Sequence, residues 1–431
     1  IRLAKMNLAV HGLEGDIQKA ISYYEDPHDM VGKADFVMAN PPFNVDEIDA
    51  EKIKNDPRLE FGLPGVNKGG KVSNGNYVWM SFFHSYLSPT GRSGVVMSSQ
   101  ASSAGGGEAK VREALIKTGD VDVMVAIRSN FFYTRTVPCE LWFFDKGKPE
   151  HLKDKVLMID ARHIYRKVTR KIFDFTPEQQ QNITAIVWLY RGQTDRFLGL
   201  VQSYLEMAYE QMQACDFSGL IKVIDAVAAA HKNDELDALV ETIKVDINLL
   251  AEKAKAAKAE HWHGAARDNA GLKDSTTAFE PLADQAKALA KQIDHVYKLA
   301  TRVHEQEVQD GTKPAEGKKR LNELDAARDQ VTEYLKMARY LHAQAEWLQT
   351  RFPDAELRNV EGLVKLVSRD ELKANNWSLT PGRYVGVAPE EEDEGFDFEE
   401  ALRDIHIEID GLNAEASVLA KIINKNFKEL I

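Results

Sequence analysis

The feature that most constrains the fold is a short apolar segment that runs into two consecutive prolines, Asn40-Pro41-Pro42-Phe43. Residues 34–39 before it are largely apolar and have the length of a β-strand. Proline has no amide hydrogen, fixes φ and disfavours helical backbone in the residue before it. The sequence therefore predicts a strand that ends at Asn40. A stiff loop then follows at the strand's carboxyl end, which is where open α/β sheets bind ligands.

The polar groups of this loop suit a planar amino group. The side-chain oxygen of Asn40 can accept one hydrogen bond from such a group, and the carbonyl oxygen of Pro41 can accept another. Two acceptors placed this way direct the nitrogen lone pair towards an electrophile, and the Phe43 ring offers a face for a heteroaromatic base. The loop therefore predicts methyl transfer to an exocyclic amino group, although the same residues also suit a plain turn with Phe43 in the core.

Helical and extended patterns alternate along the first 160 residues, which predicts an α/β fold with a doubly wound, mostly parallel sheet. Pro89-Thr90-Gly91-Arg92 is expected to separate a helix from the strand that starts at Gly94. The two strands on either side of the aromatic turn 130–134 are expected to form a hairpin, because the turn is too short for a helix. Residues 156–160 are expected to add an edge strand. The predicted helices span 1–15, 76–87 and 108–117, and the other predicted strands span 94–97, 121–127 and 140–144.

Residues 44–75 form a long polar stretch with several prolines and glycines. Loops of this length inside a compact domain are usually functional or disordered. Because the stretch follows the Asn-Pro-Pro-Phe loop directly, it suits a segment that faces the substrate, and it suits an ordinary surface excursion equally well.

The composition changes near Thr176, where alanine, glutamate, lysine, glutamine and leucine begin to dominate. Thr176-Pro177-Glu178-Gln179 has the pattern of a capped helix start. Two heptad-spaced apolar runs, 282–303 and 324–345, flank a break at 311–314 and predict a coiled-coil hairpin on an α-helical bundle. This hairpin suits either a contact arm or a packed helical domain. His261-Trp262-His263 lies in a helical context where i and i+2 point apart, so no metal site is predicted.

The last part of the chain combines an acidic tract, residues 390–394, with a final helical pattern over 398–430. Two interleaved heptad positions of this pattern are apolar, and such a stripe must be buried. The helix is expected either to pair with a helix of another subunit or to fold back on the bundle.

Charge and cysteine content limit the function classes. The chain has 55 Lys and Arg against 67 Asp and Glu, a formal net charge of −12, so it is a poor non-specific binder of DNA phosphates. Its two cysteines, Cys139 and Cys215, are not paired in a Cys-x-x-Cys motif, which fits a reducing cytoplasm. No apolar run reaches membrane-spanning length.

Four stretches together resemble the modification subunit of type I restriction-modification systems, a family of adenine-specific DNA methyltransferases. They are Met6 to Gly12; Ala34 to Asn44; the asparagine-aromatic turn 128–134; and residues 369–385 with Leu379-Thr380-Pro381-Gly382-Arg383-Tyr384-Val385 at their centre. The second stretch is shared with other amino methyltransferases, whereas the last is much more particular to type I subunits.

The resemblance implies roles for individual residues. Asn40, Pro41, Pro42 and Phe43 would be the catalytic and base-binding residues, and Asn44, Phe132 and Tyr133 would add contacts to the substrate. The implied cofactor is S-adenosylmethionine. The implied partners are DNA, a restriction subunit, and a specificity subunit that pairs with the terminal helix.

The resemblance fails at the cofactor site. The family binds its methyl donor with a glycine-rich strand turn and a following acid, both of which precede the catalytic motif, and no residues before Asn40 match them. We expect these motifs upstream of Ile1, and we expect the fragment alone to methylate poorly.

Three expectations summarise the organisation. Residues 1–160 would be a partial methyltransferase domain, 161–352 a helical bundle or coiled-coil insertion, and 353–431 a segment with a partner-binding helix. The alternatives for function are a non-catalytic scaffold that docks partner proteins, and a methyltransferase for another amino substrate such as an RNA base.

Overall fold

The computed structural model describes residues 1–132, 136–169, 171–231, 233–261, 268–312 and 316–387, and three single positions beyond them. The chain divides into two compact units, Ile1–Gly386 and Val387–Ile431. In the second unit, Leu402, Ile409 and Ala416 are helical and exposed. The acidic tract and the rest of the predicted terminal helix lie outside the described residues.

The described part of the chain contains a central sheet and one small hairpin. The strands are β1 Ala34–Ala39, β2 Leu87–Ser98, β3 Val121–Ile127, β4 Cys139–Asp145, β5 Lys155–Asp160, β6 Arg166–Thr169, β7 Ile172–Asp174 and β8 Val364–Ser368.

The α-helices fall into a short set around the sheet and a long set in the middle of the chain. They are α1 Arg2–Val10, α2 Ala50–Ile53, α3 Asn76–Tyr86, α4 Gly106–Thr118, α5 Pro177–Tyr190, α6 Thr194–Ala214, α7 Phe217–Ala230, α8 Asp234–His261, α9 Asn269–Gln309, α10 Gly317–Arg351 and α11 Arg369–Ala374.

The central sheet has the strand order β1-β2-β4-β3-β5-β8. Strand β1 is parallel to β2, and β3 is parallel to β5, whereas β4 and β8 run antiparallel to their neighbours. Four of the six strands therefore point the same way, which confirms the mostly parallel sheet, and the β3–β4 hairpin is confirmed as well. The prediction that residues 156–160 form an edge strand is wrong, because β8 returns from far along the chain and covers β5.

Helices cover both faces of the sheet, as a doubly wound fold requires. On one face, Met97 and Trp142 share an apolar cluster with residues of α3, α4 and the segment 372–385. On the other face, Val125 and Ile159 belong to the large cluster that continues into α5 and the other long helices. The alternation of side chains along each strand therefore divides the core into two layers.

Strand β2 begins earlier than the sequence predicts. Leu87 already pairs with Ala34, and the register then jumps so that Phe36 pairs with Arg92. The turn 89–91 is thus a bulge inside the strand rather than a break before it. A Cβ at Gly91 would lie 2.5 Å from the carbonyl oxygen of Ala34, so only glycine allows the two strands to come together here.

Residues 44–75 fold into an ordered loop with a small core of its own. The buried side chains of Ile48, Ile53 and Val72 pack with Phe82 of α3. Arg58, only 2% exposed, pairs with Asp56 at 2.7 Å and lies over the Phe82 ring at 3.9 Å. The loop is therefore fixed against α3 by burial and a buried charge.

The long helices form a packed bundle. Helices α9 and α10 contact each other, and α10 also packs against α6 and α7. Leu289, Val296, Val331 and Ala338 of the predicted heptad runs are buried in the shared core. Of the two possibilities that the sequence left open, the packed helical domain is the one observed in the described residues.

The capping patterns that predicted the starts of two helices are confirmed. Thr176 and Gln179 form a reciprocal capping box at the start of α5, and Ser368 and Glu371 do the same for α11. None of the helices among the described residues combines the length and the apolar character needed to cross a bilayer.

Candidate active site

The Asn-Pro-Pro-Phe loop lies where β1 ends, at the carboxyl edge of the parallel strands. Asn40 is exposed, Pro41 is buried, Pro42 is exposed and Phe43 is half-buried. Within the described residues, the Asn40 side chain has no hydrogen-bond partner, while Phe43 packs against the apolar clusters of both faces of the sheet. The amide is thus free to accept a ligand's hydrogen bond, and the Phe43 ring is held in place from behind.

Asn44 anchors this loop to the start of α3. Its φ of +56° is in the left-handed region, which asparagine tolerates better than most residues. Its backbone N–H donates to Oδ1 of Asn76 at 2.8 Å, and its own Oδ1 accepts from the amides of Asn74 and Asn76 at 3.0 and 2.9 Å. The Asn44 oxygen is therefore already engaged within the protein, and Asn44 as a substrate contact stays a prediction.

The aromatic turn after β3 is also partly tied down. Phe131 lies 4.7 Å from the Phe175 ring, centroid to centroid, and Phe132 packs against the large apolar cluster. Arg128 stacks over the rings of Tyr165 and Phe173. Phe132 as a substrate contact stays a prediction, and Tyr133 lies outside the described residues.

Two buried acids that the sequence analysis did not single out lie at the same edge of the sheet. Glu140 of β4 and Asp160 of β5 are both paired with Ala126 of β3, so the three side chains point to one face. Glu140 is 2% exposed, and burial raises its pKa to about 8. Asp160 instead forms an ion pair with Arg162 at 2.6 Å. A sequence signal existed, since Glu140 directly precedes the apolar run 141–144 of the same strand.

The segment that follows α11 reaches this edge as well. Oγ of Ser102 and Oγ1 of Thr380 lie 2.7 Å apart, and the N–H of Leu379 donates to the Ser102 carbonyl at 2.8 Å. A Cβ at Gly382 would lie 2.6 Å from Nη2 of Arg162, so a larger residue here would require the end of the Arg162 side chain to shift. The Leu-Thr-Pro-Gly-Arg stretch and the Asn-Pro-Pro-Phe loop, far apart in sequence, therefore belong to one edge of the sheet.

The residues before Asn40 do not fit the site for a sulfonium methyl donor. They are all described, they contain β1 as their one strand, and their glycines follow α1 or precede β1. A glycine turn that leads from a strand into a helix is therefore not formed by these residues.

A cavity of about 600 Å³ lies at the opposite edge of the sheet, lined by Asp122, Asp145, Tyr190 and Arg191 among others. Asp122 is near the start of β3 and Asp145 ends the antiparallel strand β4. Arg191 donates to Asp122 at 2.7 Å, so the polar groups of this cavity are largely paired with one another. The cavity is not part of the candidate active site.

An α/β sheet with an Asn-Pro-Pro-Phe loop at its carboxyl edge defines the class of amino-group methylases, and the comparison with known families agrees. The sequence model of the family described as N-6 DNA Methylase matches residues 1–213. The amino-terminal part of the chain is therefore similar to that family.

The chain is also similar to methylase subunits of type I restriction enzymes. It is 42% identical over 186 residues to the MjaIX methylase subunit of Methanocaldococcus jannaschii, covering 42% of this chain and 32% of that protein. It is 34% identical over 179 residues to the HindI methylase subunit of Haemophilus influenzae, covering 41% and 39%. The chain thus spans between about a third and two fifths of the length of these relatives.

A type I methyltransferase subunit from Streptococcus thermophilus superposes with a TM-score of 0.36 at 23% identity, covering 42% of this chain and 38% of that one.

Proposed function

We propose that this chain supplies the base-binding and catalytic loop of an adenine-specific DNA methyltransferase that is part of a type I restriction-modification complex. The observation that carries the proposal is the Asn-Pro-Pro-Phe loop itself, with an unpartnered, exposed Asn40 amide beside a half-buried Phe43 ring. An adenine that has left the duplex would stack on Phe43 and present its amino group to the loop.

The chemistry follows from the two acceptors. Oδ1 of Asn40 and the carbonyl oxygen of Pro41 accept one hydrogen each from the exocyclic amine of adenine. These bonds strengthen as the nitrogen becomes positively charged during attack, so they stabilise the transition state more than the ground state. S-adenosylmethionine would supply the methyl group, held by residues other than those before Asn40.

The partners belong to the same proposal. The net charge of −12 gives the chain little affinity of its own for DNA phosphates, so a specificity subunit would provide the grip and the sequence readout. Leu402 and Ile409 are helical and about half exposed, which suits a helix that docks on such a subunit. A restriction subunit would complete the complex.

The test is methyl incorporation into duplex DNA by the complex that contains this chain together with the polypeptide that holds the methyl donor. Asn40→Ala should lower the rate by about 100–1,000-fold, the usual cost of removing one transition-state hydrogen bond. Phe43→Trp, which keeps a stacking face, should retain far more activity than Phe43→Ala.

Asn55→Ala is the matched control, because Asn55 is an exposed asparagine of the same 44–75 loop. If Asn40→Ala leaves methyl incorporation unchanged, the loop is not catalytic, and the non-catalytic scaffold is the remaining alternative. Activity on RNA but not on duplex DNA would favour a methyltransferase for another amino substrate.

A further inference from the structure

Two histidines and a glutamate that are far apart in sequence come together inside the helical bundle. His231 directly follows α7, and its backbone N–H donates to carbonyl oxygens of the last turn of that helix. His304 and Glu307 lie three residues apart on α9, so their side chains share one face of the helix. One potential ligand atom from each of the three residues lies within 4.8 Å of the other two.

Each of the two histidines has one buried ring nitrogen that lacks a hydrogen-bond partner among the described residues. His231 is fully buried, and its Nδ1 lies 2.6 Å from Oε2 of Glu307. Among the residues that the structure describes, Nε2 of His231 and Nδ1 of His304 are buried without a hydrogen-bond partner. Buried polar atoms normally have partners, so two orphaned imidazole nitrogens on neighbouring histidines point to a ligand that is bound at this cluster.

The donor set identifies the class of ligand. Two imidazoles and one carboxylate are the ligands that Zn²⁺ and related divalent transition metals prefer, whereas Mg²⁺ and Ca²⁺ favour oxygen alone. Metal–ligand bonds of about 2.0–2.2 Å in a tetrahedral site place ligand atoms roughly 3.4 Å apart. The observed cluster needs only side-chain adjustments to reach that spacing.

We propose that His231, His304 and Glu307 bind a divalent transition metal of the zinc class, with water at the fourth position. The metal joins the end of α7 to α9 near the turn that leads into α10. The site is separate from the candidate active site, because the cluster lies in the bundle and not at the carboxyl edge of the sheet that holds Asn40.

The first experiment titrates the purified chain, freed of metal with a chelator, with Co²⁺ and Zn²⁺. We expect one equivalent of Co²⁺ to give the visible d–d absorption of a tetrahedral site, and one equivalent of Zn²⁺ to displace it. Zn²⁺ should also raise the midpoint of thermal unfolding, because a ligand that binds only the folded state stabilises it.

The variants separate this site from other histidines. His304→Gln and Glu307→Gln should weaken metal binding by more than the roughly 10–100-fold lost with an outer-shell partner. Neither should then show thermal stabilisation by Zn²⁺. Glu307→Gln keeps a hydrogen-bond acceptor for His231. Loss of metal binding in this variant can therefore be distinguished from loss of the fold. His295→Gln is the matched control, since His295 is exposed on the same helix.

Two results would overturn the proposal. One is the absence of stoichiometric Co²⁺ or Zn²⁺ binding to a folded wild-type chain. The other is binding that survives His304→Gln but disappears with His263→Gln, which would assign the metal to the His261-Trp262-His263 segment instead.

Discussion

We predict that Arg112 of α4 is essential for holding the segment 376–385 against the loop after β2. Its guanidinium is only 2% exposed and has no carboxylate within hydrogen-bond distance among the described residues. Instead it donates to the carbonyl oxygens of Ala104 and Trp377, both at 2.7 Å, and to Tyr77 Oη at 3.2 Å. One side chain thus joins the loop after β2 to the segment 376–385.

The magnitude of the effect follows from these bonds. Two short, charge-assisted hydrogen bonds contribute about 3–6 kcal/mol together. Burying the guanidinium has a cost that Arg112→Met no longer incurs, which brings the expected loss to the lower end of this range. The net loss should therefore be about 2–3 kcal/mol of local stability.

Hydrogen exchange of the segment 372–385 measures this loss directly. A drop of about 2–3 kcal/mol corresponds to roughly 30–150-fold faster exchange of amides that open locally. The best probe is the amide of Leu379, which donates across the contact to the Ser102 carbonyl. Arg112→Lys keeps the charge but not the planar fork, so its effect should be intermediate.

Lys110→Met is the matched control, because Lys110 is an exposed cation two residues away on the same helix. It should change the exchange of the segment very little, since surface substitutions usually stay within about 0.5 kcal/mol. The reasoning is refuted if Arg112→Met leaves Leu379 as protected as in the wild type, or if Lys110→Met has an equal effect.

Two further predictions concern pH. Burial raises the pKa of Glu140 to about 8 from a usual 4.5, so the folded state holds a proton that the unfolded state releases, and stability falls as pH rises between those values. Glu140→Gln should remove this part of the slope in thermal unfolding from pH 5 to 8, and an unchanged slope would contradict the burial argument. Burial disfavours the charged His84, yet its hydrogen bonds to Asp120, at 2.7 Å, and to Glu60 raise the pKa of His84 above its usual value. The stabilisation of the folded state by protonated His84 should be complete below about pH 6.5 and should decline as pH rises through the raised folded-state pKa. His84→Gln should therefore cost more stability at pH 6 than at pH 9. An equal cost at both pH values would argue against a protonated His84.

Much of the fold was readable from the sequence, because the relevant signals are local. The double proline after 34–39 ends β1 at Ala39, and the capping patterns at Thr176 and Ser368 start helices at the expected residues. Each of these features depends on groups within a few positions of one another, so periodicity and backbone chemistry are sufficient to predict them.

Other features depend on which distant segments meet, and only the tertiary structure decided those. Strand β8 pairs with β5 across about 200 residues, which the apolar character of 363–367 did not indicate. The position of β2 was also missed, because pairing of Leu87 with Ala34 overrides the turn signal of Pro89 and Gly91.

The chemistry proposed for the Asn-Pro-Pro-Phe loop comes from the sequence by itself, since the acceptors and the ring lie within four consecutive residues. The tertiary structure decided what surrounds it: the Asn76 amide that anchors Asn44, the buried Glu140, and the arrival of Thr380 at the same edge. It also gathered His231, His304 and Glu307, whose spacing in the chain carries no signal. A hydrophobic pattern states that a face is buried, but the partner that buries it is fixed only when the chain folds back on itself.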